Sequence, residues 1–152
     1  MTDKIQELWD REMIRDVIYK YCFGVDAQDW ESVRDCFTST ATHQHTTFKG
    51  NTDEFIAFAS GVIGDMGGTL HSIGSVLLSI EHDVASSQST FVSYHRVLNT
   101  PVAQKRFQMN GQNLNWIVAG RYVDKWEKVG ELWKISERRA FHDWTKFEPA
   151  TS

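Results

Sequence analysis

Residues 114–146 read LNWIVAGRYVDKWEKVGELWKISERRAFHDWTK. Two long runs in this stretch, Leu114–Glu127 and Glu131–Lys146, are rich in β-branched and aromatic residues, and they meet at Lys128-Val129-Gly130, a turn signal. They predict a pair of long strands. Upstream, Thr69–His82 and Val84–Thr100 predict a second pair around a turn near His82-Asp83. The first third of the chain has a different period. Ile5, Leu8, Trp9, Met13, Ile14, Val17, Ile18, Tyr21, Cys22 and Val25 recur at three- and four-residue steps, the spacing of one helix face. Gly24 marks a place where that helix can stop, and Val25-Asp26-Ala27-Gln28 then reads as loop. Asp29 offers an N-cap for a second helix, Trp30 to Phe37; Thr38 to Thr47 reads as a short strand. Thr52 or Asp53 can cap a third helix carrying Phe55, Ile56, Phe58, Ala59 and Val62. Gly61, Gly64, Gly67 and Gly68 then break the pattern and predict a mobile segment. Pro101 and Pro149 fall at ends or loops. Helices gathered in front of long strands predict an α+β fold over residues 1–152 as a single domain: a cone-shaped, curved antiparallel sheet with three N-terminal helices packed on its concave face. Such a cone holds an apolar pocket with a few convergent polar groups.

Composition bounds the function. The 152 residues are 41% hydrophobic and include nine Phe, six Trp and four Tyr, enough to form a packed core. A net charge of −4 argues against nucleic-acid binding and against attachment to anionic lipid, both of which need a basic surface. Two Cys at no metal-ligand spacing exclude a disulfide scaffold and the usual zinc sites. Residues 1–15 alternate charged with apolar side chains, which does not read as a signal peptide, and no apolar run approaches the roughly 20 residues of a membrane span. The expected location is the cytoplasm.

Chemistry points to the histidines. There are six: His43, His45, His71, His82, His95 and His142. His82 adjoins a turn and reads as solvated. His71 and His95 fall in consecutive strands, and His43 and His45 share one face of theirs. A carboxylate on one imidazole nitrogen fixes the tautomer and frees the other nitrogen to accept a proton. Asp26 with His71 makes such a pair. From the residues alone, Asp26 is equally a cap for the turn into the second helix, and a lone strand histidine is more often a hydrogen-bonded packing residue than a catalyst. Trp116, Trp126, Trp133 and Trp144 read as sheet packing or an oligomer face, and Tyr21 and Cys22 as core. Nothing near Cys22 in sequence would activate it as a nucleophile. A metal site on His43 and His45 lacks a third ligand at a recognisable spacing.

The stretch Ile18-Tyr19-Lys20-Tyr21-Cys22-Phe23-Gly24-Val25-Asp26-Ala27-Gln28-Asp29-Trp30 resembles the helix-loop-helix opening of SnoaL-like proteins, in the nuclear-transport-factor-2-like superfamily of α+β cones. The similarity is strongest to the scytalone dehydratase and bile-acid 7α-dehydratase branch. Val25 to Trp30 resembles its catalytic-Asp loop, Leu70-His71-Ser72-Ile73-Gly74 its catalytic-His strand, Tyr94-His95-Arg96-Val97 its second-His strand, and Trp133-Lys134-Ile135 its last strand. The resemblance implies elimination without a cofactor or metal. His71 would be base and then acid, Asp26 its orienting partner, and His95 a hydrogen-bond donor to the leaving oxygen or a carbonyl. Tyr21, five residues before Asp26, matches a tyrosine of the bile-acid enzyme. Val25 stands where the scytalone dehydratases carry a tyrosine and His45 where both kinds of dehydratase do, His142 falls near a pocket arginine of the bile-acid enzyme, and Tyr122 near a polar pocket residue of the scytalone dehydratases; with Tyr21 these are the five expected substrate contacts. The implied substrate is a small cyclic or aromatic hydroxylated molecule. The same pair would serve a cyclase, an isomerase or a dehydrohalogenase. In a noncatalytic binding or assembly module the pocket would be vestigial. Family members often form dimers or trimers, so a homo-oligomer is expected, with no nucleic-acid or membrane partner.

Overall fold

The computed structural model describes residues 2–151. In chain order the elements are α1 (Thr2–Ala27), α2 (Trp30–Asp35), β1 (Phe37–His45), β2 (Phe48–Asn51), α3 (Thr52–Ile63), β3 (Gly68–Glu81), β4 (Val84–Val97), α4 (Pro101–Phe107), β5 (Leu114–Val129) and β6 (Leu132–Pro149). The six strands form one curved, unclosed sheet in the order β2-β1-β6-β5-β4-β3. α1 packs on β3 and β6, and α3 on β1 and β2. The α+β cone is therefore the architecture of this chain, with one difference: β1 runs parallel to β6, so the sheet is mixed. The parallel pair needs a long crossover, and most of the chain supplies it.

α1 is longer than its sequence suggests. Ile14, Ile18, Tyr21, Cys22 and Val25 form its buried face. It ends at Gln28, whose φ of 55° is left-handed. The Asp29 N–H donates to the Gly24 carbonyl at 2.8 Å and the Gln28 N–H to the Val25 carbonyl at 3.1 Å, a Schellman closure with glutamine where glycine is usual. Gly24 is not the stop. A Cβ there would lie 2.9 Å from Val33 Cγ2, so its missing side chain lets α2 cross closely. Asp26 consequently sits in the last helical turn and not in a loop.

Asp29 caps α2, accepting from the Ser32 N–H at 3.1 Å, but α2 stops at Asp35 and Phe37 begins β1. The cap of α3 is Asn51, in a capping box with Glu54, so neither Thr52 nor Asp53 does that work. Gly61 lies inside α3 and Gly68 opens β3, which shortens the expected mobile segment to a tight turn. α4 was not legible as a helix; its signals are Thr100 accepting from the Ala103 N–H at 3.2 Å and Pro101 at the first turn. Among the described residues no helix is long and apolar enough to cross a membrane.

Two register shifts in β6, at Ser136 and Asp143 opposite β5, reverse which face its side chains take. Trp133 and Ile135 point inward; after the first shift Arg138, Ala140 and His142 do so. The core thus contains Trp126, whose indole N–H donates to Ser87 Oγ at 2.9 Å, and Trp133, which donates to Asp10 Oδ1 at 2.8 Å. It also contains a fully buried bidentate pair, Arg138 with Asp124, at 2.8 and 2.7 Å. The guanidinium lies over the rings of both Tyr21 (4.2 Å) and Tyr122 (4.3 Å), which themselves meet edge-on.

Candidate active site

Strand alternation turns Phe91, Ser93 and His95 of β4, and Trp116, Val118 and Tyr122 of β5, toward the helices. His71 of β3 lies on the same side, since it pairs with Ser93. Tyr21 and Val25 of α1, Phe55 and Ile63 of α3, and Arg106 and Phe107 of α4 close the space. It is a cavity of about 390 Å³, the size of a small-molecule site. Arg106 is exposed at the mouth and ties α4 to the end of α3, donating to the Gly61 carbonyl at 3.0 Å.

Asp26 stands behind His71, in the last turn of α1, where the helix dipole disfavours an anion. Three hydrogen bonds offset that. His71 Nδ1–H donates to Oδ1 at 2.7 Å, the His71 backbone N–H to Oδ2 at 2.8 Å, and the Thr69 hydroxyl to Oδ1 at 2.8 Å. Burial opposes ionisation of Asp26, but the bonds from the His71 ring and backbone and from Thr69 outweigh it, so the carboxyl titrates below the ordinary carboxylate range. One carboxylate grips both the ring and the backbone of one residue, and that fixes the rotation of the imidazole. Because a carboxylate only accepts, Nδ1 carries a hydrogen, and in the neutral ring Nε2 offers a lone pair. His71 itself lines the cavity. Asp26 is thus no cap for α2; that is Asp29.

His95 packs against Trp116 (ring centroids 4.6 Å apart) and perpendicular to His71 (5.6 Å, 88°). Its Nδ1 is 3.0 Å from the Trp116 carbonyl. A carbonyl cannot donate, so Nδ1 carries the hydrogen. Burial first, then the neighbouring His71 ring, push its pKa down to about 4, partly countered by that carbonyl. Neutral His95 therefore presents a bare Nε2.

Every other expected contact also lines the cavity: Tyr21, Val25, His45, Tyr122 and His142. His142 is exposed at the mouth. His45 stacks on Phe55 at 4.4 Å, and its Nε2 is enclosed without a partner. Burial, then the Arg138 charge, hold His45 well below the ordinary histidine value. His43 lies behind it, against Phe55 and 3.0 Å from Thr52 Oγ1, and is a packing residue. Burial pushes the Cys22 thiol up to about 12, which keeps it protonated.

Sequence reasoning missed Thr69, although its position two residues before His71 puts it on the same strand face. It also missed α4 as a wall, and it read Trp116 only as sheet packing or an oligomer face. Trp126 and Trp133 are core, while Trp144 is exposed on the outer face.

Residues 6–139 match the family model described as SnoaL-like domain. No curated protein matches the chain. Among solved structures, a candidate scytalone dehydratase from Novosphingobium aromaticivorans is 19% identical, with a TM-score of 0.79 over 100% of this chain and 95% of that one. The hexachlorocyclohexane dehydrochlorinase LinA type 2 is 16% identical, with a TM-score of 0.78 over 97% and 93%. A protein of unknown function from Mycobacterium tuberculosis is 22% identical, with a TM-score of 0.71 over 91% and 75%. At these identities the likeness is one of fold.

Proposed function

Because this chain belongs to the SnoaL-like domain family, whose fold it shares with proteins named for elimination chemistry, we propose that it is a lyase acting by acid–base catalysis. The reaction is a dehydratase-type elimination on a small cyclic or aromatic hydroxylated substrate. The observation that carries this reading is the 2.7 Å contact between Asp26 Oδ1 and His71 Nδ1 at the wall of an apolar cavity. Asp26 holds the Nδ1–H tautomer. His71 Nε2 removes a proton beside an electron-withdrawing group, and Asp26 stabilises the imidazolium. His71 then returns the proton to the departing hydroxyl, which leaves as water. Base and acid are one side chain, so the steps require no cofactor. Acid–base help of this kind is typically worth about 10²–10⁴-fold, and the remainder comes from positioning by the aromatic walls.

The likeness to LinA favours one second reading, in which the same base removes a proton and a halide departs. The product separates the two. Wild-type protein is incubated with a panel of cyclic β-hydroxy ketones and their β-chloro counterparts, and the new conjugated double bond is followed by absorbance. Dehydration of a hydroxy member is expected, falling about 10²–10⁴-fold in Asp26→Asn with the far-ultraviolet circular dichroism unchanged. An Asp26→Asn variant that turns over at the wild-type rate would refute the orienting role.

Self-association belongs to the same proposal. Leu70, Tyr94 and Ile117 lie in register across β3, β4 and β5 on the outer face, and Ala119 pairs with the exposed Trp144. That apolar strip suits contact with a second copy of the chain.

A further inference from the structure

Both cavity histidines have their Nδ1 hydrogen committed within the protein. His71 donates to Asp26 and His95 donates to the carbonyl of its own cross-strand partner, Trp116. Neither Nε2 has a hydrogen-bond partner among the described residues, and both residues line the cavity. The two rings stand perpendicular, 5.6 Å apart.

We propose that His95 is a fixed hydrogen-bond acceptor that selects the leaving group: with His71 it forms a pair of bare imidazole nitrogens that admits a hydroxyl and rejects a halide or an ether. The inference deepens the dyad reading and rests on it for the path of the proton. A hydroxyl is both donor and acceptor. Its hydrogen points at His95 Nε2, and its oxygen lone pair then faces His71. When His71 has taken the carbon-bound proton, its Nε2–H lies beside that lone pair. The C–H and C–O bonds break, the C=C bond and a new O–H bond form, and water departs with one hydrogen from His71 and one still held by His95. A chloride or methoxy group has no hydrogen to offer. It would set its own lone pairs against the His95 nitrogen and leave a buried acceptor unpaired. Burial supports the assignment, since His95 is only 6% exposed and stays neutral near pH 7. Trp116 has a dual role here: its ring walls the cavity and its backbone sets the polarity of the neighbouring histidine.

Two measurements test this. In protein carrying nitrogen-15 histidine, long-range nitrogen–proton correlation spectra near pH 7 identify each tautomer. Hydrogen on Nδ1 of His95 is expected; hydrogen on Nε2, or on both nitrogens, overturns the proposal. Separately, 2-naphthol, 2-methoxynaphthalene and 2-chloronaphthalene are titrated into wild type and His95→Phe. The naphthol should bind about tenfold tighter than the other two in wild type, and the gap should close in the variant. Equal binding of all three by wild type, no binding of any, or a gap that survives His95→Phe overturns it. The same spectra distinguish failure of the dyad: hydrogen on Nε2 of His71 defeats the Asp26–His71 reading and the paired nitrogens with it, whereas hydrogen on Nε2 of His95 alone defeats only the leaving-group proposal.

Discussion

Acidification from about pH 8 to about pH 5 provides a test of the packed interior that requires no substrate. An unfolded histidine titrates near 6.5. In the fold His43 is held down to about 3, by burial and then by the Arg138 charge, and His95 to about 4, by burial and then by His71. Between 6.5 and those values the unfolded chain binds protons that the folded chain refuses. Stability from these residues is therefore complete above 6.5, falls as the pH drops below it, and levels off only beneath the folded values. At pH 5 each of the two costs about 2 kcal/mol relative to pH 8. His45, displaced the same way, adds to the loss. The total of about 4 kcal/mol from His43 and His95 is a large share of the stability of an ordinary domain. Urea unfolding followed by tryptophan fluorescence reads it directly. With a slope of about 2 kcal/mol per molar, the midpoint should fall by at least about 2 M between the two pH values. His43→Phe keeps a ring stacked on Phe55 and removes one titrating group, so about 1 M of that shift should disappear. A midpoint that does not move between pH 8 and pH 5 would mean that both rings take up protons inside the fold, and the reasoning from burial would fail. Asp26 acts in the same direction in stronger acid: its contribution is present above the unfolded carboxylate value and is lost as the pH falls through its lower folded one.

Asp124→Ala leaves the Arg138 guanidinium buried without its carboxylate; a loss of about 3–5 kcal/mol is expected, seen as a drop of roughly 10 °C in Tm, and a drop under about 3 °C would contradict it. Gly120→Ala should also destabilise by more than about 2 kcal/mol, because its Cβ would collide with the Phe141 backbone carbonyl beside the second β6 shift; a stable variant would show that this part of the strand gives way easily. If the proposed self-association runs through the outer strip, the wild type should scatter light as more than one chain and Trp144→Lys as a single chain, and equal masses for the two would refute that contact.

The two regular periods in this chain carried the architecture. The three-and-four spacing of α1 and the long alternating runs after Gly68 are local patterns, and they define an α+β cone without reference to anything distant. Asp26 and His71 became a candidate pair through motif resemblance, because 45 residues separate them and no spacing rule spans that gap. What tertiary structure alone decided is of another kind. The parallel seating of β1 on β6 depends on which edge a strand meets. The shifts at Ser136 and Asp143 twice reverse the alternation of β6, and that is why Arg138 is sealed inside while its neighbour Arg139 is half-exposed. The polarity of His95 depends on a carbonyl 21 residues away in the facing strand. An imidazole in sequence is both donor and acceptor; only the group packed against one of its nitrogens determines which of the two it shows to a ligand.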